Sequence, residues 1–160
     1  METKYPIDNI ELSLVIPAYN EESRLASMIE STIKFLRQGK FKYEIIIVND
    51  GSKDKTWAVI EELMNKSYLD VEISGVTYNK NGGKGWAVAT GMKFARGKYI
   101  LMLDADGATN IENYDKLKQE MDKFEENQHE EGVLVVGSRQ IKQQEAKVSI
   151  LFLNLIERVV

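Results

Sequence analysis

The sequence predicts an α/β fold, a mostly parallel sheet with helices on both faces. Three observations support this. Short apolar runs rich in β-branched residues alternate along the chain with longer segments of helical period. The alternation persists from the first strand-like run to the fifth, as expected of strands joined by crossover helices. Each strand-like run also ends in a polar loop, most of them containing Gly, Asn or Asp. A length of 160 residues fits one domain with its own core.

Residues 12–16 form the first apolar run, expected to stop at Pro17. Leu25, Met28, Ile29, Ile33 and Leu36 recur at helical spacing across 22–37. Residues 43–48 read as a strand that stops at Asn49-Asp50-Gly51. Trp57, Ile60, Leu63 and Met64 mark one face of a helix over 54–66, with Ser52 and Asp54 as its capping residues. Residues 71–78 are strand-like, and 85–95 read as a helix entered through a glycine-rich loop. Residues 99–103 give a fourth strand, 111–126 an amphipathic helix, and 133–136 a fifth strand ending at Gly137-Ser138-Arg139.

The tail, 148–160, is apolar apart from Asn154, Glu157 and Arg158 and a serine near its start. It is expected to be helical, either closing the core or lying in a membrane interface or against a further part of the protein. The expected organisation is therefore a domain over 1–145 and an apolar C-terminal helix over 146–160 that opens an acceptor or membrane-interface region. No cap or polar exit follows the helix, which predicts a fragment.

Composition narrows the function. The chain is 43% hydrophobic and 29% charged, a globular balance. A formal net charge of −4 argues against a general nucleic-acid binder. The absence of cysteine excludes disulfides and thiolate metal sites. His129 is the single histidine and sits in an acidic stretch, which excludes His-rich zinc sites and argues against a Ser-His-Asp triad. The first twelve residues are too polar for a signal peptide, and no run approaches the ~18 apolar residues of a membrane span. The chain is expected to be soluble or peripheral.

In parallel sheets of this kind ligands bind beyond the carboxyl ends of the strands. The notable residues fall there. Leu101-Met102-Leu103 leads into Asp104-Ala105-Asp106-Gly107. Carboxylates at i and i+2 on a strand end point to one side and repel unless a cation lies between them. Mg²⁺ or Mn²⁺ suits such oxygens, often together with substrate phosphates. An isolated Asp-x-Asp is more simply a solvated turn, and its surroundings favour the site. Tyr19 offers a stacking ring and Glu21 a ribose acceptor. Asp50 offers an acceptor for a base N–H, and Gly51 permits a turn or a close ligand approach. Residues 79–85 lack the spacing of a P-loop or a dinucleotide fingerprint, yet Lys84, between glycines at a helix entry, suits an anion.

Val15 to Glu21, Val48-Asn49-Asp50-Gly51-Ser52, Gly83-Lys84-Gly85 and Asp104-Ala105-Asp106 together resemble the donor half of a family 2 glycosyltransferase of the GT-A fold. The resemblance implies a nucleotide-sugar donor, a divalent metal and inversion at the anomeric carbon. It implies nucleoside-binding positions at Pro17, Tyr19, Glu21 and Asp50, and Ala18, Gly51, Lys84 and Gly85 are expected beside them as further donor-binding residues. It assigns Asp104 to ribose and metal, and Asp106 as principal metal ligand. Within the family, Asp104 to Thr109 with Gly137-Ser138-Arg139 is most similar to the dolichyl-phosphate β-glucosyltransferases, with the mannose synthases as near relatives. That implies UDP-glucose as donor, a polyprenyl (dolichyl) phosphate as acceptor, and a membrane surface as partner. The implied place is the cytosolic face of the endoplasmic reticulum, or the cytoplasmic membrane surface in a prokaryote. One departure is Asn49, where the family often has a second aspartate.

The expected catalytic set is Asp104, Asp106 and Arg139, the arginine holding the acceptor phosphate in bidentate fashion or serving as a structural ion pair. Other readings stay open from residues alone: GDP-mannose as donor, a saccharide acceptor, or a nucleotide-sugar-binding module without transfer. A sugar-nucleotide pyrophosphorylase is disfavoured, because Pro17 to Glu21 is not a glycine-rich first loop.

Overall fold

The computed structural model describes residues 9–39, 41–66, 68, 70–107, 111–125, 134–136 and 150–153. The strands are β1 (Leu12–Ala18), β2 (Tyr43–Asn49), β3 (Glu72–Thr77), β4 (Tyr99–Met102), β5 (Leu134–Val136) and β6 (Ile150–Leu153). The helices are α1 (Leu25–Leu36), α2 (Thr56–Asn65), α3 (Lys84–Phe94) and α4 (Tyr114–Glu125), the last preceded by a 3-10 turn at Ile111–Asn113. They form one sheet in the order β3-β2-β1-β4-β6-β5. β1 to β4 are parallel, and β6 runs antiparallel between β4 and β5.

Strand alternation divides the core in two. Leu12, Leu14, Ile16, Ile45, Ile47, Tyr99 and Leu101 face α1, α2 and α4. Val15, Ile46, Val48 and Ile100 face α3 through Ala87. Helix α1 buries Leu25, Met28, Ile29, Thr32, Ile33 and Leu36, the helical stripe legible in the sequence. Handedness explains why α3 stands apart. β1, β2 and β3 advance in one direction with α1 and α2 on one face. The step from β3 to β4 reverses direction, so a right-handed crossover must place α3 on the other face. A crevice opens where the order reverses, at the carboxyl ends of β1 and β4. Small residues seat α3 there: a Cβ at Gly91 would lie 2.4 Å from Val15 Cγ1.

Two sequence expectations change. Pro17 does not end the first strand, since it pairs with Val48 inside β1. Val15 accepts from Leu103 on the β4 side, so the nitrogen of Pro17 also faces that side, beyond the last pair Val15 with Met102. No ladder bond is lost. The expected tail helix is a strand over Ile150–Leu153, paired from Met102 with Ile150 to Tyr99 with Leu153. An apolar run of this length does not distinguish strand from helix by periodicity, and here the open edge of β4 decides it. Residues 146–149 and 154–160 lie outside the described residues. Among the described residues no helix is long and apolar enough to cross a membrane.

Candidate functional site

The loops after β1 and β2 are sewn together before any ligand is considered. Asn20, at φ 57°, donates its amide to Ser52 Oγ at 3.0 Å, and Lys53 donates back to Asn20 Oδ1 at 2.8 Å. Glu22 donates its amide to Asp54 Oδ2 at 3.2 Å, and Lys55 donates to Glu22 Oε2 at 2.7 Å. Glu21 donates to Thr56 Oγ1 at 2.7 Å, and that hydroxyl donates to Asp54 Oδ1. Asp54 also accepts from the Thr56 amide, so it serves the start of α2 as the sequence suggests. Burial pushes the Asp54 carboxyl up, but the bonds from Thr56 and Glu22 outweigh this and hold it below its ordinary value. Asn49 is occupied structurally: it donates to Thr77 Oγ1 at 2.9 Å and accepts from the Ser52 amide at 3.3 Å.

Asp50 is 3% exposed. Its two oxygens accept from the Gly82 amide at 2.7 Å and the Gly83 amide at 2.8 Å. The carboxylate thus anchors the glycine-rich loop that starts α3. Gly51, at φ 68°, completes the joint. A Cβ there would lie 2.6 Å from the Asn81 nitrogen, so the space a side chain would take belongs to the loop backbone.

A cleft of about 420 Å³ lies at the crevice. Pro17, Ala18, Tyr19, Glu21, Asp50, Asn81, Gly83, Lys84, Asp104, Ala105 and Asp106 line it. Tyr19 is 44% exposed, with its ring open to a stacking partner. Glu21 gives one oxygen to Arg24, at 2.8 Å from Nε and 2.7 Å from Nη2. Lys84 pairs with Asp104 across the cleft, joining the start of α3 to the end of β4. Asp106 is exposed beside it.

The structure therefore brings Pro17, Ala18, Tyr19, Glu21, Asp50, Lys84, Asp104 and Asp106 onto one cleft. Gly51 lies behind its wall, and Gly85, in the first turn of α3 as the sequence predicts, is outside the lining. Arg139, Gly137, Ser138, Ala108, Thr109 and His129 lie outside the described residues. Sequence reasoning missed Asn81 and the anchoring of the loop by Asp50. Their only signal was a loop of consecutive glycines opposite Asp50-Gly51, a partnership across 32 residues.

Asp104 and Asp106 supply up to four hard oxygens at the cleft wall, a donor set that fits Mg²⁺ or Mn²⁺. Among the described residues no group of three or more such side chains occurs. A divalent ion held by Asp104 and Asp106 would bring positive charge to the cleft wall.

Comparison with known proteins follows the same lines. The family profile described as Glycosyl transferase family 2 matches residues 13–147. A dolichyl-phosphate beta-glucosyltransferase of Dictyostelium discoideum is 45% identical over 144 residues, covering 87% of this chain and 43% of the relative. Its Homo sapiens counterpart is 42% identical over 114 residues, covering 68% and 35%. The chain thus spans less than half the length of these relatives. Among solved structures, S. aureus TarS 1-349 superposes with a TM-score of 0.55 at 24% identity, covering 71% of this chain and 33% of that one. Its complex with UDP superposes with a TM-score of 0.51 at 25% identity, covering 69% and 32%. These likenesses identify the fold as GT-A.

Proposed function

The chain belongs to glycosyl transferase family 2, and from that premise we propose that it forms the donor half of an enzyme transferring glucose from UDP-glucose to dolichyl phosphate. The supporting observation is the cleft at the sheet reversal, where Tyr19 and Glu21 stand opposite Lys84, Asp104 and Asp106. In this reading Tyr19 stacks on the base. Glu21, already oriented by Arg24, accepts from the ribose. Asp50 acts through the loop: it fixes the amides of Gly82 and Gly83 and so sets where α3 begins.

Asp104 and Asp106 would hold Mg²⁺ or Mn²⁺, and such an ion supplies Lewis-acid stabilisation of a diphosphate leaving group. Lys84 changes partner when the diphosphate enters, from Asp104 to a phosphate oxygen. An acceptor phosphate oxygen attacks the anomeric carbon from the face opposite UDP. The new C–O bond forms as the bond to UDP breaks, and UDP leaves with the electron pair. A phosphate monoester is already anionic near neutral pH, so no strong protein base is needed. Arg139 is assigned to the acceptor phosphate. A lipid-linked acceptor would place the enzyme at a membrane surface, in this reading the cytosolic face of the endoplasmic reticulum or, in a prokaryote, the cytoplasmic membrane surface.

A thermal-shift panel of UDP-glucose, UDP, GDP and GDP-mannose, each with and without Mn²⁺, tests the donor assignment. Ligand at a hundred times its Kd stabilises by about 2.7 kcal/mol. For a chain of this size that raises Tm by roughly 5–10 °C. UDP-glucose with Mn²⁺ is expected to give this shift. An equal shift from GDP-mannose, or none from any nucleotide, overturns the assignment.

A further inference from the structure

We propose that the outer face of α3 is the surface through which this domain lies on an anionic membrane. The inference rests on the proposed lipid-phosphate acceptor and adds which face meets the lipid. Residues 73–103 contain Lys80, Lys84, Lys93, Arg96 and Lys98 and no Asp or Glu, in a chain whose net charge is −4. The stretch is thus free of carboxylates in an otherwise acidic molecule. Lys84 and Arg96 are engaged, with Asp104 and with Glu44 and Glu72 respectively. Lys80 and Lys93 are exposed, while Lys98 lies 4.9 Å over the ring of Tyr99, away from α3.

Helix α3 also inverts the usual placement of apolar residues. It fully buries only Ala87 and Gly91. Its two largest apolar side chains point to solvent, Trp86 at 61% and Phe94 at 54% exposure. At about 100° per residue Trp86, Thr90 and Lys93 share the outer face, and Phe94 flanks it about 12 Å along the axis. The Trp86 ring is seated, not loose: a Cβ at Gly82 would lie 2.8 Å from its Cδ1. Exposed indole and phenyl rings among lysines, with no carboxylate on the helix, suit the headgroup boundary of an anionic bilayer. The placement fits the chemistry. Lys84 both starts α3 and lines the donor cleft, so a bilayer against this face holds lipid phosphates within one helix length of the sugar.

The test uses vesicles of phosphatidylcholine alone and with about a third phosphatidylserine. The chain is expected to co-sediment with the anionic vesicles, less so as salt rises, and not with the neutral ones. In a Trp57→Phe background Trp86 is the sole indole. Its emission should shift to the blue and be quenched by brominated lipid. Lys93→Glu with Phe94→Ser should lower partitioning by about 30-fold, since each lysine charge near an anionic surface contributes about fivefold. UDP-glucose stabilisation, measured on the same samples, should be unchanged in that variant. Absence of sedimentation, equal partitioning of the variant, or sedimentation with unchanged Trp86 emission would each overturn the proposal; the second also covers docking through another face. Vesicle binding without any nucleotide stabilisation would leave this surface standing and remove the donor reading. Nucleotide stabilisation without vesicle binding would do the reverse.

Discussion

Asp50→Asn isolates the joint on which the cleft depends. The variant keeps the size of the side chain and one acceptor oxygen. Its amide NH₂ must then face either the Gly82 or the Gly83 amide, which now donate to Asp50 at 2.7 and 2.8 Å. One bond to a charged acceptor, worth about 1.5–3 kcal/mol, is lost, and a donor is left facing a donor at a cost of roughly 1–3 kcal/mol. A net penalty of about 3 kcal/mol is expected, borne first by the loop because its residues open locally before the sheet does. At about 1.4 kcal/mol per decade, amide exchange at Gly82 and Gly83 should speed by roughly a hundredfold. Amides of β1 and β2 should change far less. Hydrogen exchange resolved at single residues reads this directly. Unchanged protection at Gly82 and Gly83 would refute the anchoring role of Asp50, as would uniform loss across the sheet.

Three further outcomes are expected. Gly91→Ala forces a Cβ to within 2.4 Å of Val15 Cγ1, so overpacking of about 2 kcal/mol should appear in the urea midpoint. Asp106→Asn should abolish the Mn²⁺-dependent part of UDP affinity in calorimetry, and unchanged affinity would remove Asp106 as a ligand. The pH profile of stability should fall on both sides. Asp70, held low chiefly by hydrogen bonds from Arg37, and Asp54, held low by Thr56 and Glu22 against burial, contribute stability that is full above the ordinary carboxylate range. That contribution is lost as pH falls below about 4. Burial pushes the Tyr43 phenol up to about 12, so its contribution is present below the ordinary value near 10 and is lost as pH rises from there. Urea midpoints across pH measure both limbs, and Tyr43→Phe should make the alkaline one shallower, leaving the part due to Tyr114, whose phenol burial also pushes up.

Much of this architecture can be read from residue order because the relevant forces are local. The stripe on α1 and the β-branched run of β2 each declare their element, and the reversal that makes the cleft follows from chain order and handedness. Tyr19, Glu21, Lys84, Asp104 and Asp106 could be singled out because strand ends carry the loops. What stayed hidden is long-range. The grip of Asp50 on the glycine loop and the pairing of Lys84 with Asp104 join different crossovers. Neither leaves a periodic trace. The same holds for Glu44, buried on β2 at the opposite edge, which receives Ser13 Oγ at 2.6 Å and Arg96 Nε at 2.9 Å. The segment of β6 reads as helix in isolation because its fate depends on the free edge of β4, a property of the assembled sheet.

The reciprocal bonds between the loops after β1 and β2 constrain how such a protein can change over generations. Asn20 both gives to and receives from the stretch that holds Ser52, and Glu22 does the same with Asp54 and Lys55. A replacement at one of these positions strands a partner on the other loop, so tolerated drift must come as matched pairs. Across the cleft, Lys84 reaches the β4 wall at Asp104, and the Leu103 amide joins that wall to β1 at Val15. A change at Lys84 or Asp104 strands one side-chain partner rather than two, so this pair is expected to vary more readily than the first two loops, which are inherited as a block.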